Sequence, residues 1–396
     1  MNILHISHLY PVYYDLFWGK AVHNLIKSIA SQGCKVQVVS PVPYTPFPIN
    51  YLSKGWKLYS KIPNYEIIEG IEVYRPRYVA FPRALYFSSS GVRMYHGIKR
   101  LIKDLYKDFT FDLIHAHMAL PDGYAGMILS QRYNKPLVVT LRATDIDITA
   151  KRSKKCFQAL TKVFNFATRV IAPSPRLSKA FRSLFGREVS TICNGIYPEE
   201  ICPLDKELRS KYGERQIILS VARLIPTKGI DIVLYALKEL VKKYSNLLYL
   251  IIGDGPMKQS LMELVSNLYL DKHVEFLGQL SHQETMKYMS ICDIFVLPSW
   301  RETFGLVYIE AMAHAKPVIG VQGQGVDGII HHGYTGFLVR PKDTKSLVKA
   351  IDYLLGHPDE AKKIGERARK LILENCTWGK NAKKTIEVYE EALKSE

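Results

Sequence analysis

Two kinds of hydrophobic spacing alternate along this chain. Short apolar runs at residues 2–7, 35–40, 112–116, 137–141, 168–172 and 188–192 read as buried strands, and the stretch 20–32 carries apolar residues at helical spacing. The style repeats in the second half. Strands are predicted at 216–221, 247–252, 273–277, 294–297, 317–321 and 336–339, with helices at 229–243, 256–268, 283–291, 306–314 and 344–355. Apolar runs without strict alternation, each followed by a helix, indicate strands covered on both faces. The expected fold class is therefore α/β, with two parallel, doubly wound sheets.

The punctuation of the pattern suggests where one sheet ends. Asn194-Gly195 is a turn dipeptide, and the segment up to Pro203 reads as a link between domains spanning 1–195 and 196–377. A last amphipathic helix at 378–394 follows. Residues 41–80, rich in Pro and Tyr, are the least regular stretch and read as an insertion. A chain of 396 residues suits two cores of ordinary size.

Composition changes this picture in three ways. The 47% hydrophobic and 23% charged content is that of a folded protein. The six cysteines form no C-x-x-C pair or zinc-spaced cluster, which suits reduced thiols and a cytoplasmic setting. The chain enters its first strand at once, with no cleavable leader pattern, and no apolar run is long enough to span a bilayer.

Charge divides the halves. Residues 1–195 hold 27 Lys and Arg against 11 Asp and Glu, a net +16, whereas 196–396 hold 27 against 26. The excess concentrates at 54–100 and 151–187, interleaved with aromatics such as Trp56, Tyr59, Tyr86, Phe87, Phe157 and Phe185. Basic and aromatic surface suits an anionic membrane or an acidic acceptor. No RNA- or DNA-reading motif accompanies it, so nucleic acid is not an expected partner.

Candidate chemistry gathers at strand ends in the second half. Ligands of open α/β sheets bind outside the carboxyl ends of the strands. Those ends are followed here by Arg223 and Lys228-Gly229, by Gly253-Asp-Gly255-Pro256, by Glu302 through Phe304, Gly305 and Leu306 to Glu310, and by Gly323-Gln-Gly325-Val-Asp327. The N–H groups around Phe304, Gly305 and Leu306 open a helix, where a phosphate is well held. Two cations, two glycine-rich turns and two acids at one edge suit a nucleoside diphosphate carrying a sugar. Arg223 and Lys228 would neutralise charge on a departing diphosphate.

These residues resemble the retaining GT-B glycosyltransferases that carry an E-x7-E motif, the group 1 and family 4 glycosyl transferases. Matching segments run the length of the chain: Gly19 before a helix, Asp112-Leu-Ile-His-Ala-His117, Thr140-Leu-Arg-Ala-Thr-Asp145, Ala172-Pro-Ser174, Asn194-Gly195, Ser220-Val-Ala-Arg223 with Lys228-Gly229, Gly253-Asp-Gly-Pro256, and Glu302 to Glu310. The resemblance implies two Rossmann-like domains facing across a cleft, the first binding the acceptor and the second the nucleotide sugar, with the terminal helix crossing back to the first. It implies that Glu302 contacts the donor sugar and Glu310 the ribose. Arg223 and Lys228 would take the diphosphate, His117 would lie by the reacting carbon, and Gly19 would let the first loop approach the diphosphate. It further implies retention by front-face displacement, the departing phosphate taking the acceptor's proton. Three positions depart from the family pattern: Trp18-Gly19 where two glycines are common, Tyr197 where Asp is frequent, and Asp327 where Glu is common.

The expected activity is transfer from a UDP- or GDP-linked sugar to a hydroxyl of a lipid-linked or glycan acceptor, at the cytoplasmic membrane face. It belongs to cell-envelope polysaccharide biosynthesis and needs neither metal nor cofactor. A nucleotide-sugar 2-epimerase would need acids placed for proton abstraction, and an accessory subunit without activity would not need Arg223, Lys228, Glu302 and Glu310. Asp145-Ile-Asp147 reads as a D-x-D metal string, but it follows a first-half strand. His115 and His117 share one strand face, and zinc would want a third ligand that the sequence does not supply nearby.

Overall fold

The structure, a computed structural model, describes residues 1–15, 18–51 and 53–395. Backbone contacts divide it into two units. Unit 1 comprises 1–173, 177–194 and 378–396, and unit 2 comprises 174–176 and 195–377.

Unit 1 is built on an eight-stranded sheet. In chain order its strands and two short companions are β1 (Asn2–Ile6), β2 (Lys35–Val39), β3 (Val42–Pro43), β4 (Tyr65–Ile68), β5 (Ile71–Tyr74), β6 (Arg77–Tyr78), β7 (Leu113–His117), β8 (Leu137–Thr140), β9 (Arg169–Ala172) and β10 (Ser190–Thr191). The sheet order is β10-β9-β8-β7-β1-β2-β5-β4, and β3 pairs with β6 separately. Every neighbour is parallel except β4 against β5.

That antiparallel edge corrects the expectation of an irregular insertion at 41–80. Glu69 and Gly70 both hold positive φ (47° and 82°) between the paired Ile68 and Ile71. Positive φ at both central residues is the two-residue turn whose twist matches a hairpin. The Arg75 guanidinium, 1% exposed, then ties this hairpin inward, donating to Glu66, to the Ser40 hydroxyl and to the Pro11 carbonyl.

Unit 2 holds a six-stranded, wholly parallel sheet of order β13-β12-β11-β14-β15-β16. Its strands are β11 (Gln216–Val221), β12 (Leu247–Ile252), β13 (Val274–Gly278), β14 (Ile294–Val296), β15 (Val318–Val321) and β16 (Phe337–Val339). The six residues of β12 are all buried, as an unbroken Leu-Leu-Tyr-Leu-Ile-Ile run requires. The strand order reverses direction between β11 and β14, and such a switch point is where open sheets place ligands.

The terminal helix Trp378–Leu393 belongs to unit 1. It packs on the helix Lys20–Ser31, and its Trp378 is 1% exposed. The six cysteines are free thiols. Among the described residues no helix is long and apolar enough to cross a membrane.

Candidate active site

The second unit stitches its strand-end loops together through main-chain contacts. After β11, Leu224 N donates to Asp254 O (2.9 Å) and Met257 N to Leu224 O (3.1 Å). The approach leaves no room for side chains on the glycines. A Cβ at Gly253 would lie 1.9 Å from Ala222 O, and one at Gly255 would lie 2.5 Å from Leu224 O. The next turn, Pro226–Lys228, ends at Gly229, where a Cβ would meet Pro298 O at 2.6 Å. Trp300 N and the Ser299 hydroxyl both donate to Thr227 O.

These contacts bring a cation to an acid. Lys228 Nζ donates to Glu302 Oε2 at 2.6 Å, with the two side chains 19% and 12% exposed. The other oxygen of Glu302 accepts from Thr303 N (3.1 Å). Gln324 Oε1 receives Glu302 N, and Gly325 N donates back to Glu302 O. Gly325 packs against Thr303 so closely that a Cβ would lie 2.4 Å from its carbonyl carbon. Arg176, which the backbone contacts also assign to unit 2, donates through Nε to Gly323 O (2.7 Å) and anchors the same loop.

Gly305, at φ 78°, opens the helix Leu306–Ala313. The first N–H groups of that helix have no partners within it, and they carry the positive end of its dipole. Phe304 is buried beneath, Leu306 and Glu310 are half-buried, and Arg223 is exposed. The unit therefore gathers Lys228, Glu302, the Phe304, Gly305 and Leu306 amides and the Gly323–Asp327 loop in one contact network, with Arg223 and the Gly253 turn joined to it through Leu224.

Gly19 and His117 lie in unit 1. At φ 70°, Gly19 approaches its own unit's backbone: a Cβ there would meet Leu9 C and O at 2.4 Å. The glycine is thus required by the fold of the first loop itself.

His117 belongs to a group of three imidazoles. His5 and His115 are register partners on β1 and β7, and His117 follows on the same face. This supplies the third imidazole that the sequence reading did not find, because strand register is set by contacts distant in sequence. One ring nitrogen from each of the three lies within 4.8 Å of the other two. The arrangement is nonetheless a hydrogen-bond network. His115 contacts the Tyr389 hydroxyl at 2.6 Å and the Thr140 hydroxyl at 2.8 Å, which occupies both its nitrogens. His5 Nδ1 and His117 Nε2 share one hydrogen bond of 3.1 Å. Burial pulls His5 down to about 3 and drives His115 and His117 well below the usual imidazole range, so the rings are neutral. A three-imidazole metal centre would have to break a bond of His115. Two buried nitrogens, His5 Nε2 and His117 Nδ1, have no hydrogen-bond partner among the described residues.

The D-x-D string has a structural use. Asp145 is fully buried and accepts from Arg142 N (2.9 Å) and Ala119 N (3.2 Å), so it pins the turn Ala119–Gly123 that follows β7. Burial raises its carboxyl to about 7 against those hydrogen bonds. Within that turn stands Asp122, 0% exposed, a residue the sequence reading passed over. It holds His8, which follows β1. Applying the strand-end rule to the first half as well as the second would have found both.

Comparison with known proteins matches both halves of the chain. Residues 19–200 fit the model of Glycosyltransferase Family 4, and residues 204–371 fit that of Glycosyl transferases group 1. A teichuronic acid biosynthesis glycosyltransferase of Bacillus subtilis, TuaC, itself named as putative, is 28% identical over 402 residues, covering all of both chains. The glycogen synthase of Mycobacterium tuberculosis is 26% identical, covering 100% of this chain and 96% of its own. Among solved structures, a sucrose-phosphate synthase from Thermosynechococcus elongatus superposes with TM-score 0.80 at 22% identity over the full length of both. Anabaena HepE in complex with UDP gives 0.74 at 21% identity, covering 99% of this chain and 100% of its own. With two doubly wound units and both halves matched, the chain is a glycosyltransferase of the GT-B fold, its first half similar to family 4 and its second to group 1.

Proposed function

We propose that this glycosyltransferase moves a sugar, with retention, from a nucleotide-diphosphate donor to a hydroxyl of a lipid-linked or glycan acceptor. The observation that carries the reading is the 2.6 Å pairing of Lys228 with Glu302 beside the Gly305 helix start. It gathers a cation for the diphosphate, an acid for sugar hydroxyls, and backbone amides for phosphate oxygens. Arg223 adds a second positive charge, so two cations supply what a divalent ion would otherwise contribute. Glu310 holds the ribose, and the Gly253 and Gly255 turn lets the backbone approach the nucleotide. The HepE structures solved with UDP and with UDP-glucose support a donor of this class, and the TuaC likeness supports an envelope polysaccharide as product.

Unit 1 takes the acceptor in this reading, with His117 as its residue for a sugar hydroxyl. An unpartnered buried nitrogen costs about 1–3 kcal/mol, and a sugar hydroxyl bonded to His117 Nδ1 would recover it.

The membrane face of this proposal rests on one surface. Strands β3 and β6 are parallel, with Tyr44 N donating to Tyr78 O, so the segments that follow both leave the same end. Those segments expose Phe47 (81%), Tyr51 (66%) and Tyr86 (73%). The adjacent helix Lys54–Ser60 buries no residue, Lys57 lies over the Tyr51 ring and Arg93 over the Phe81 ring. Aromatics flanked by cations sit well at the level of anionic headgroups, the inner leaflet of a cell membrane being one such surface.

One assay series tests both parts. The protein is incubated with a panel of UDP- and GDP-sugars, with and without phosphatidylglycerol vesicles. Slow release of free sugar from one donor is expected, together with sedimentation on vesicles at low salt that is reversed at high salt. Isomerised donor, or no turnover of any donor, would contradict the transferase reading. Absence of vesicle binding would contradict the membrane surface.

A further inference from the structure

The carboxyl edge of the unit 1 sheet holds a second oriented pair. Asp122 grips His8 twice: Oδ2 lies 2.8 Å from the ring Nδ1, and Oδ1 accepts the His8 backbone N–H at 3.1 Å. The carboxylate is sealed from solvent, whereas the His8 side chain is 24% exposed. A carboxylate accepts only, so it fixes the proton of the neutral ring on Nδ1 and leaves Nε2 with a bare lone pair. A partly exposed imidazole whose tautomer is set by a buried acid is an oriented hydrogen-bond acceptor.

The surrounding backbone is arranged to hold this pair. Met118 stands at φ 132° and ψ 153°, a conformation that costs a non-glycine residue strain. Gly123 N donates to Met118 O (2.9 Å), and Asp145 holds Ala119 N. The strained turn that presents Asp122 is therefore clamped from two sides. The charged groups bearing on the pair are few. Asp145 acts on His8 together with Asp122, Arg142 lies beside Asp145, and the Tyr78 phenol feels Asp122. Burial pulls the His8 imidazole down, but Asp122 and Asp145 outweigh it and leave it above its ordinary value.

We propose that His8, oriented by Asp122, is the acceptor-binding residue of this enzyme, its Nε2 accepting a hydrogen bond from a hydroxyl of the incoming glycan. The proposal rests on the transferase reading and adds what the acceptor must offer there. Above the raised His8 value, where the ring is neutral, a bare lone pair backed by two buried acids selects a neutral hydroxyl and rejects a phosphate or carboxylate. Protonation of Nε2 removes the lone pair, so acceptor affinity falls as pH drops through the raised His8 value. Asp122 acts through His8 and is a positioning residue.

The test separates acceptor from donor. Wild type is first assayed for hydrolysis of its nucleotide sugar without acceptor, then for transfer to octyl β-D-glucopyranoside, with glucose 6-phosphate as the anionic comparison. His8→Phe is expected to raise the KM for the octyl glucoside about ten-fold or more, the worth of one good hydrogen bond, with donor hydrolysis within two-fold of wild type. His8→Gln restores part of the acceptor affinity through its amide oxygen and shows no dependence on pH. Asp122→Asn turns the ring to the other tautomer, raises the acceptor KM and moves the pH dependence lower. Intact donor hydrolysis in the variants shows that they fold. An unchanged acceptor KM in His8→Phe, a preference for glucose 6-phosphate, or a wild-type acceptor KM independent of pH would each overturn the proposal. A wild type that hydrolyses no donor would instead overturn the transferase reading on which it rests.

Discussion

Lys228→Met is expected to lower kcat for donor turnover by about 10²–10³-fold while leaving the melting temperature within a few degrees of wild type. The methionine keeps the volume of the lysine stem and removes only its charge. If the Lys228–Glu302 contact were an ordinary ion pair, it would contribute about 0–1 kcal/mol to stability and nothing to turnover. Its surroundings argue for more. Both side chains are largely withdrawn from water, and the amides of the Gly305 helix start lie beside them. A positive charge held there is worth most when negative charge develops on a leaving diphosphate, because little solvent reorganisation is needed. Glu302→Ala is expected to lose transfer to a similar degree and to retain nucleotide binding. Steady-state kinetics paired with thermal melting distinguishes the two accounts. A Lys228→Met enzyme of normal activity and lowered Tm would assign the pair to structure alone.

Gly253→Ala is expected to unfold unit 2 or to cost it about 3 kcal/mol or more, through two effects that add. The residue stands at φ 130°, where an L side chain is rarely found, and the new Cβ would lie 1.9 Å from Ala222 O. Ala222 cannot step aside, because its own N–H is bonded to Ile252 O within the β11–β12 edge, and Gly253 N is bonded to Gly278 O. Gly213→Ala is the control. It also has positive φ (55°), but nothing lies within 4 Å of its Cβ position, so a cost of only about 1 kcal/mol is expected. Calorimetry of the two variants reads the difference. Equal, small losses in both would show that the 253 turn is not the rigid floor of the site described above.

The second half was the more legible in sequence because its strands are largely apolar and its candidate site residues are not. β11 and β12 fall on the predicted residues 216–221 and 247–252, β12 as an unbroken apolar run and β11 as an apolar run broken only by Gln216 and Ser220. Arg223 and Gly253 then stand out as the first charged residue and the first glycine beyond them. In the first half the strands themselves carry chemistry. His5, His115 and His117 are buried strand residues, and no local pattern shows that His5 lies opposite His115. The Asp122 contact joins residues 114 apart in sequence, through a turn whose non-glycine Met118 at positive φ no turn rule anticipates. The Glu69-Gly70 hairpin was hidden for a different reason. Its two strands are four residues each, and β4 alternates exposed with half-buried positions only, a pattern too weak to mark an edge strand. Asp145 shows the opposite case, a motif of the right letters that its place after a first-half strand already discounted and whose carboxylate is committed to backbone amides.

The central claim is that the strand-end loops of unit 2 form one seat for a nucleoside diphosphate. The most direct test is the electron density of UDP or GDP bound to crystals of the protein. The account predicts diphosphate oxygens in hydrogen-bond contact with Arg223, Lys228 and the amides of Phe304, Gly305 and Leu306, with Glu310 on the ribose. A nucleotide seated elsewhere, with Lys228 still closed on Glu302, would contradict it.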